Sequence, residues 1–218
     1  MNVASDKTVK PGCMPSVGFL VTLAVLMIVC MWIMPPFRWH TRPTRPTITI
    51  AMFEADNLVM AIEFFRAEYG RWPVSEATAL LTNADFTFGT HGTRATVVVT
   101  NGTGFDVNNS EAVRILMAVE PTNGGQSALR NTRRIRFLTA KTLGDNGRGG
   151  VGTDGVFRDP WGNPYIITLD LNGDGMCEDA VYRTKGAVSV WSLGPDRTAS
   201  SSNQPGEGVN KDNIHVAR

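Results

Sequence analysis

The stretch VGFLVTLAVLMIVCMWIM, Val17 to Met34, carries no charged side chain and constrains this chain more than any other feature. At ~1.5 Å rise per residue a helix of this length spans about 27 Å, close to the roughly 30 Å of a bilayer's hydrocarbon. A helix apolar on every side needs a deep protein core or lipid around it. Its place near one end of the chain argues for lipid, so we expect one membrane-spanning helix over residues 17–34. The run closes in MWIMPPFRWH, without the small-residue site of a cleaved secretory signal, and MIVC lacks the small residue a lipoprotein signal puts before its cysteine. The segment is therefore expected to stay as an anchor. Lys7 and Lys10 precede it while Arg38, Arg42 and Arg45 follow it. Positive charge near the two ends thus does not by itself favour an outside carboxyl terminus.

With 218 residues, the chain has room for one globular domain beyond the anchor. Lys plus Arg is 21 and Asp plus Glu is 20, a net charge of +1 that gives no reason to expect a nucleic-acid partner. Cys13, Cys30 and Cys177 are spread too far to define a disulfide framework. Pro35 to Thr47, PPFRWHTRPTRPT, reads as a stiff juxtamembrane linker, because proline lacks the helical N–H and fixes φ. The globular domain is then expected over residues 48–218.

That domain opens on ITIAMFEADNLVMAIEFFRAEYGRWP, Ile48 to Pro73. Leu58, Ala61, Ile62, Phe65 and Tyr69 recur at helical spacing and predict a core-facing stripe. Gly70 and Pro73 end the helix. Ser75 to Leu81 reads as a second, short helix. Arg94 to Thr100 and Arg134 to Ala140 read as strands, and Asn108 to Glu120 as a helix capped by Asn109 or Ser110. NPYIITLDL, AVYRTK and AVSVWSLG read as further strands, the last of these closing the sheet. One long helix followed by strands makes the fold α+β, with the helix packed on an antiparallel sheet.

The order of motifs resembles that of the type IV pilin-like proteins, and most closely the major pseudopilin of type II secretion systems. A basic leader ends in Gly18-Phe19, an uncharged helix follows, and an amphipathic helix closes in YGRWP. DPWGNPY at Asp159 to Tyr165 and VWSLGPD at Val190 to Asp196 complete the likeness, with NKDNI near the end. The resemblance covers the anchor, the helix and the last third of the chain. It implies a leader over residues 1–18, cut between Gly18 and Phe19 by a prepilin peptidase that methylates the new terminus. It also implies a single-pass protein of the bacterial inner membrane, with its carboxyl-terminal domain in the periplasm. Its partners would be further pseudopilin subunits in a filament and the inner-membrane secretion platform, with no nucleic acid and no enzymatic role. Two features depart from the pattern. Leu23 stands where the family carries a glutamate that pairs with a neighbouring amino terminus. Pro35, Pro36, Pro43 and Pro46 interrupt what is otherwise one long helix. Both departures favour an alternative, an anchored binding or adhesion module that does not assemble.

Two loops are candidate calcium sites. The resemblance places one in the loop that opens at SLGPD and closes at KDNI, with Asp196, Asp212 and the Leu193 carbonyl as ligands. The second is read from the residues: Asp170, Asn172 and Asp174 hold the first, third and fifth positions of an EF-hand-like loop, with Gly175 at the sixth. Its twelfth position is Val181 rather than Glu, and strands flank it, so a tight hairpin tip explains the same residues. Other signals carry less. Gly147, Gly149 and Gly152 match a dinucleotide fingerprint, but TDGVFRDP cannot start the helix it requires. Arg130, Arg133, Arg134 and Arg136 form a basic cluster that suits a solvated face. Asp154, Asp159, Asp170 and Asp174 could pair as hydrolase carboxylates, but nothing marks a cleft for them.

Overall fold

A computed structural model describes residues 45–81, 83–89, 96–98, 107–119, 130–143 and 148–218. The chain divides into Met1–Arg42 and Pro43–Arg218, and every described residue belongs to the second unit. The expected leader, the membrane segment, the Gly18–Phe19 pair and residues 35–44 of the expected linker lie outside the described residues. Among the described residues, no helix is long and apolar enough to cross a membrane.

Helix α1 runs Arg45–Tyr69, so its first turn takes in the last three residues assigned above to the linker. Pro46 permits this, because the first-turn amides of a helix have no intrahelical partner and a proline there forfeits nothing. The helix stops at Gly70, whose φ of 63° lies in the left-handed region that glycine enters without strain. Ala51, Ala55, Leu58, Ile62 and Phe65 are fully buried along one face. Phe65 meets Tyr69 at 4.7 Å and Phe137 at 5.4 Å between ring centroids, closing the far end of this core. Helix α2, Glu76–Ala79, is capped by Ser75, whose Oγ accepts from the Thr78 amide at 3.2 Å.

The sheet beneath α1 holds four antiparallel strands in the order β1 (Phe86–Phe88), β5 (Ile166–Leu169), β8 (Val188–Ser192), β10 (Ile214–Ala217). Ile167, Leu169, Val188, Val190 and Ile214 turn toward α1. Ile166 and Trp191 turn to the opposite face, where Val181, Tyr182, Leu193 and Ala199 cover them as a second, smaller core. Burial on both faces explains why IITL reads as an unbroken apolar run rather than an alternating one. Between β1 and β5 in sequence come β2 (Thr96–Val98), α3 (Ser110–Met117) and the two-residue strands β3 (Gly150–Val151) and β4 (Phe157–Arg158). A hairpin of β6 (Met176–Glu178) and β7 (Arg183–Lys185) links β5 to β8.

Three sequence expectations change. Arg134 is left-handed at φ 52°, and residues 135–140 pair with no strand among the described residues; the Phe137 and Leu138 amides both donate to the Leu116 carbonyl at the end of α3, at 2.8 and 3.1 Å. Their alternation reflects Leu138 packing inward, not a ladder. AVSVWSLG is not the last strand either: β9 (Thr198–Ser200) follows and pairs in parallel with β2, and β10 then returns as the edge strand beside β8. Lastly, Asn109 precedes α3 but its side chain makes no cap. It donates to the Phe157 and Tyr165 carbonyls at 2.9 and 2.8 Å and accepts from the Phe157 amide at 2.9 Å, which ties α3 to β4.

Candidate metal centre

The DPWGNPY loop and the SLGPD turn, distant in sequence, meet at one buried carboxylate. Asp159 is fully buried. Its Oδ1 accepts from the Trp161 and Asn163 amides at 2.9 and 2.8 Å. Its Oδ2 accepts from the Asn163 side chain at 2.9 Å and from the Ser192 hydroxyl. Asn163 also donates to the Gly194 carbonyl at 2.8 Å, and the Gly194 amide donates to Ser192 Oγ at 3.0 Å. Burial raises the Asp159 pKa, and the four donors act against that shift. Gly162 turns the loop at φ 94°. Tyr165 then enters the core and donates to Glu54 on α1 at 2.7 Å. The two motifs are thus one structural joint that fixes where β8 ends and the next loop begins.

That loop carries the first candidate ligand set. Gly194 has φ 65°, and a Cβ there would lie 2.4 Å from the Asp212 carbonyl oxygen, so the two ends of the loop touch. Asp212 Oδ1 is buried with no hydrogen-bond partner. Burial, and then the Asp196 charge beside it, raise the Asp212 pKa. Asp196 is exposed and accepts from the Thr198 amide at 2.9 Å. Asp196 and Asp212 therefore lie near one another, and one Asp212 oxygen is orphaned. The Leu193 carbonyl is engaged differently. With its amide oxygen toward the Tyr182 hydroxyl, Asn213 donates to the Leu193 and Thr198 carbonyls at 2.9 and 3.2 Å. Fully buried Asn210 donates to the Ser200 and Asn203 carbonyls at 2.8 and 2.7 Å and accepts from the Ser200 amide at 2.9 Å. These two amides, with β9, hold the loop in the way a calcium ion was expected to hold it. The two carboxylates fit a hard cation; Leu193 is committed elsewhere. Calcium takes roughly 6–8 oxygens, so water would complete its shell here.

The second set sits in the loop between β5 and β6. Asp170 follows β5, and its carboxylate accepts from the Gly173 and Gly175 amides at 2.6 and 3.0 Å. Asn172 accepts from Asp174 and Asp174 from Met176, at 3.0 and 2.8 Å. Gly173 and Gly175 adopt φ of 77° and 78°, so the loop winds tightly around the Asp170 carboxylate. Val181, at the twelfth position, is buried in the smaller core instead of facing the loop. A residue that the sequence did not signal joins this set. Asp85, just before β1, brings a carboxylate oxygen within 4.8 Å of one each from Asp170 and Asp174. Asp85 Oδ2 accepts from the Glu178 amide at 2.6 Å while Oδ1 is buried with no partner. Its pKa is raised, first by burial and also by the charges of Asp170, Asp174 and Glu178. Asp85 lies far from this loop in sequence, and only the β1–β5 pairing, Phe86 opposite Leu169, brings it there.

The remaining candidates scatter. Arg133 bridges Glu68 on α1, and Arg71 donates to the Arg130 carbonyl at 2.8 Å. The arginine cluster therefore borders the end of α1. Asp154 pairs with Arg158 at 2.6 Å; its pKa is lowered, mainly by that hydrogen bond. Asp159 is sealed in the joint. Asp154 and Asp159 are thus each engaged apart from the Asp85, Asp170, Asp174 set. Gly147 of the glycine fingerprint lies outside the described residues, and Gly149 and Gly150 precede and enter a two-residue strand, not a helix. No family model, curated protein or solved structure matches the chain.

Proposed function

We propose that this chain is a membrane-anchored, pseudopilin-like structural subunit of a filament that supports protein export in the manner of type II secretion or type IV pili. The observation that carries the reading is the Asp159–Asn163–Ser192–Gly194 joint. It gives DPWGNPY and SLGPD one shared structural purpose beneath a helix lying on an antiparallel sheet, with the Asp159 carboxylate bonded on both oxygens. On this reading the anchor spans the bacterial inner membrane at residues 17–34 and the domain lies in the periplasm. The subunit's partners are other such subunits, the inner-membrane secretion platform and the prepilin peptidase. The test is the mass of the mature protein from its native membrane. A mass matching a chain that starts at methylated Phe19 supports the reading, and an intact amino terminus overturns it. Leu23, in place of the acid that guides assembly, favours the second reading, an anchored binding module that stays unassembled.

Calcium belongs to the proposal at Asp196 and Asp212, where the buried, unpartnered Asp212 oxygen supports it. Saturating calcium, at about a hundred times its dissociation constant, adds about 2.7 kcal/mol to folding. In a domain of this size that raises Tm by roughly 5–10 °C. Asp212→Asn is expected to abolish the rise, while Asp174→Asn leaves it in place. A rise lost only in Asp174→Asn moves the ion to the Asp85, Asp170, Asp174 set.

A further inference from the structure

Helix α1 carries a second apolar stripe that its own domain covers only in part. Ile50, Phe53, Asn57, Met60, Phe64 and Ala67 follow one another at alternating spacings of three and four. On a helix of 3.6 residues per turn this line runs nearly opposite the buried face of Ala51, Ala55, Leu58, Ile62 and Phe65. Ile50, Phe53 and Phe64 are 44, 66 and 57% exposed. Side chains of that size are rarely left in water as a row. The 3–4 spacing is that of a helix–helix seam, with Ile50, Asn57 and Phe64 at its a positions and Phe53, Met60 and Ala67 at its d positions.

From this seam we infer that α1 pairs, parallel and in register, with α1 of a second copy of this chain. Asn57 decides the occupant. It is the one polar residue of the stripe and sits mid-seam at an a position. A lone a-position asparagine selects the arrangement that lets its amide meet an equal amide across the interface. An identical partner in parallel register brings both Asn57 to Asn57 and Phe64 to Phe64, whereas an antiparallel pair crossing at Asn57 sets Phe64 against Ile50. Any other register sets the amide against Phe53, Met60 or Phe64, where it would be desolvated without a partner. The flanks do not oppose the pairing. Asp56 and Glu63 face Arg218 of their own chain, at 2.7 and 3.8 Å, and Glu68 is bridged by Arg133. Along the first half of the seam, Ile50, Phe53 and Asn57 line an open groove of about 380 Å³ together with Leu138 and Ala140. The pairing goes beyond the proposed function and does not depend on leader cleavage.

The test is site-specific disulfide formation in the full-length, membrane-inserted protein, with Cys13→Ser and Cys30→Ser as background and buried Cys177 retained. Asn57→Cys and Phe64→Cys are each expected to give a homodimer on mild oxidation, because facing a positions lie within the roughly 4.4–6.8 Å Cα separation that a disulfide spans. Met52→Cys, exposed but off the seam, is expected to give none. Adding Phe53→Asp to Asn57→Cys, which puts a charge into the seam without touching the domain core, should slow cross-linking about tenfold or more. The inference is overturned if Met52→Cys links as fast as Asn57→Cys, if Phe53→Asp changes nothing, or if Asn57→Cys yields adducts with other proteins only. Faster linking of a Phe53→Cys and Met60→Cys mixture than of Asn57→Cys with itself would mean antiparallel helices and would also overturn it. A normal far-ultraviolet circular dichroism spectrum for each variant removes misfolding as the explanation.

Discussion

Asp159→Ala is expected to destabilise the domain by about 4 kcal/mol, which lowers Tm by roughly 10 °C or more. The carboxylate is the common acceptor for two backbone amides, the Asn163 side chain and the Ser192 hydroxyl, all at a fully buried position. Removing it leaves several donors without an acceptor, each costing about 1–3 kcal/mol before water or relaxation recovers part of the loss. Against a total stability of about 5–15 kcal/mol, that is a large fraction. Ser192→Ala removes one donor and keeps the acceptor, so it is expected to cost about 1 kcal/mol.

The pH dependence of Asp159→Ala has a defined sign. Burial holds the Asp159 pKa above its ordinary 3.8. A raised folded pKa contributes stability that is complete below the unfolded value and is lost as pH rises through the folded one. Wild type should therefore exceed Asp159→Ala by more in acid, near the unfolded value, than at neutrality. Urea melts across that range measure this. A cost under about 1 kcal/mol at all pH values would show that the joint contributes little to stability.

How much of this was legible in the sequence divides along the range of the forces involved. The buried face of α1 was legible because Leu58, Ala61, Ile62 and Phe65 repeat at the helical period, and all four are buried. The short helix after Ser75 was legible as an element, and DPWGNPY through its turn residues. What failed depended on partners far along the chain. Asn131 accepts from the Tyr69 hydroxyl at 2.8 Å, 62 residues away, and holds the Ile115 and Ile135 carbonyls with its amide. That fixes residues 131–135 as a bonded turn that takes in the start of the segment read as a strand. Asn109 likewise follows a capping pattern but spends its amide on β4. Asparagine favours turns, and nothing local distinguishes a solvated turn asparagine from one bonded inside the core.

The candidate site shows the same division. Asp196 and Asp212 were placed together by resemblance, and the chain brings them together through the Gly194 contact. Asp85 gave no signal, because its approach to Asp170 is created by strand pairing. The strands after Ser192 were missed because Thr198–Ser200 and Ile214–Ala217 are short and lie among turn residues. Their burial comes from β2, β8 and α1, not from their own composition.

Asp179 carries the other large expected effect. Its Oδ1 accepts from the Val181 and Tyr182 amides, each at 2.7 Å. Its Oδ2 accepts from Trp191 Nε1 at 2.9 Å and Thr168 Oγ1 at 3.1 Å. Asp179→Ala is expected to cost about 3–4 kcal/mol, because the indole N–H of a fully buried tryptophan loses its acceptor along with two amides. Asp179→Asn keeps one acceptor oxygen but turns an NH2 toward that indole, for about 2 kcal/mol. The neighbouring His215 separates charge from shape. It contacts the Tyr182 ring at 5.1 Å and shares a 3.1 Å hydrogen bond with Ser189 Oγ. Burial lowers its pKa from 6.5, and the Asp179 charge acts the other way. Both variants remove that charge, so the His215 pKa should fall further in each, which its NMR titration reads directly. A lowered histidine pKa contributes stability that is present above the unfolded value and is lost as pH falls below it. Asp179's own pKa is raised by burial, so its protonation works against that loss in wild type as pH falls. Without it the loss stands alone and reaches deeper. Both variants should therefore lose stability faster than wild type as pH drops from about 7 to about 5. An unmoved His215 pKa would mean that Asp179 is already neutral at the pH where the imidazole titrates.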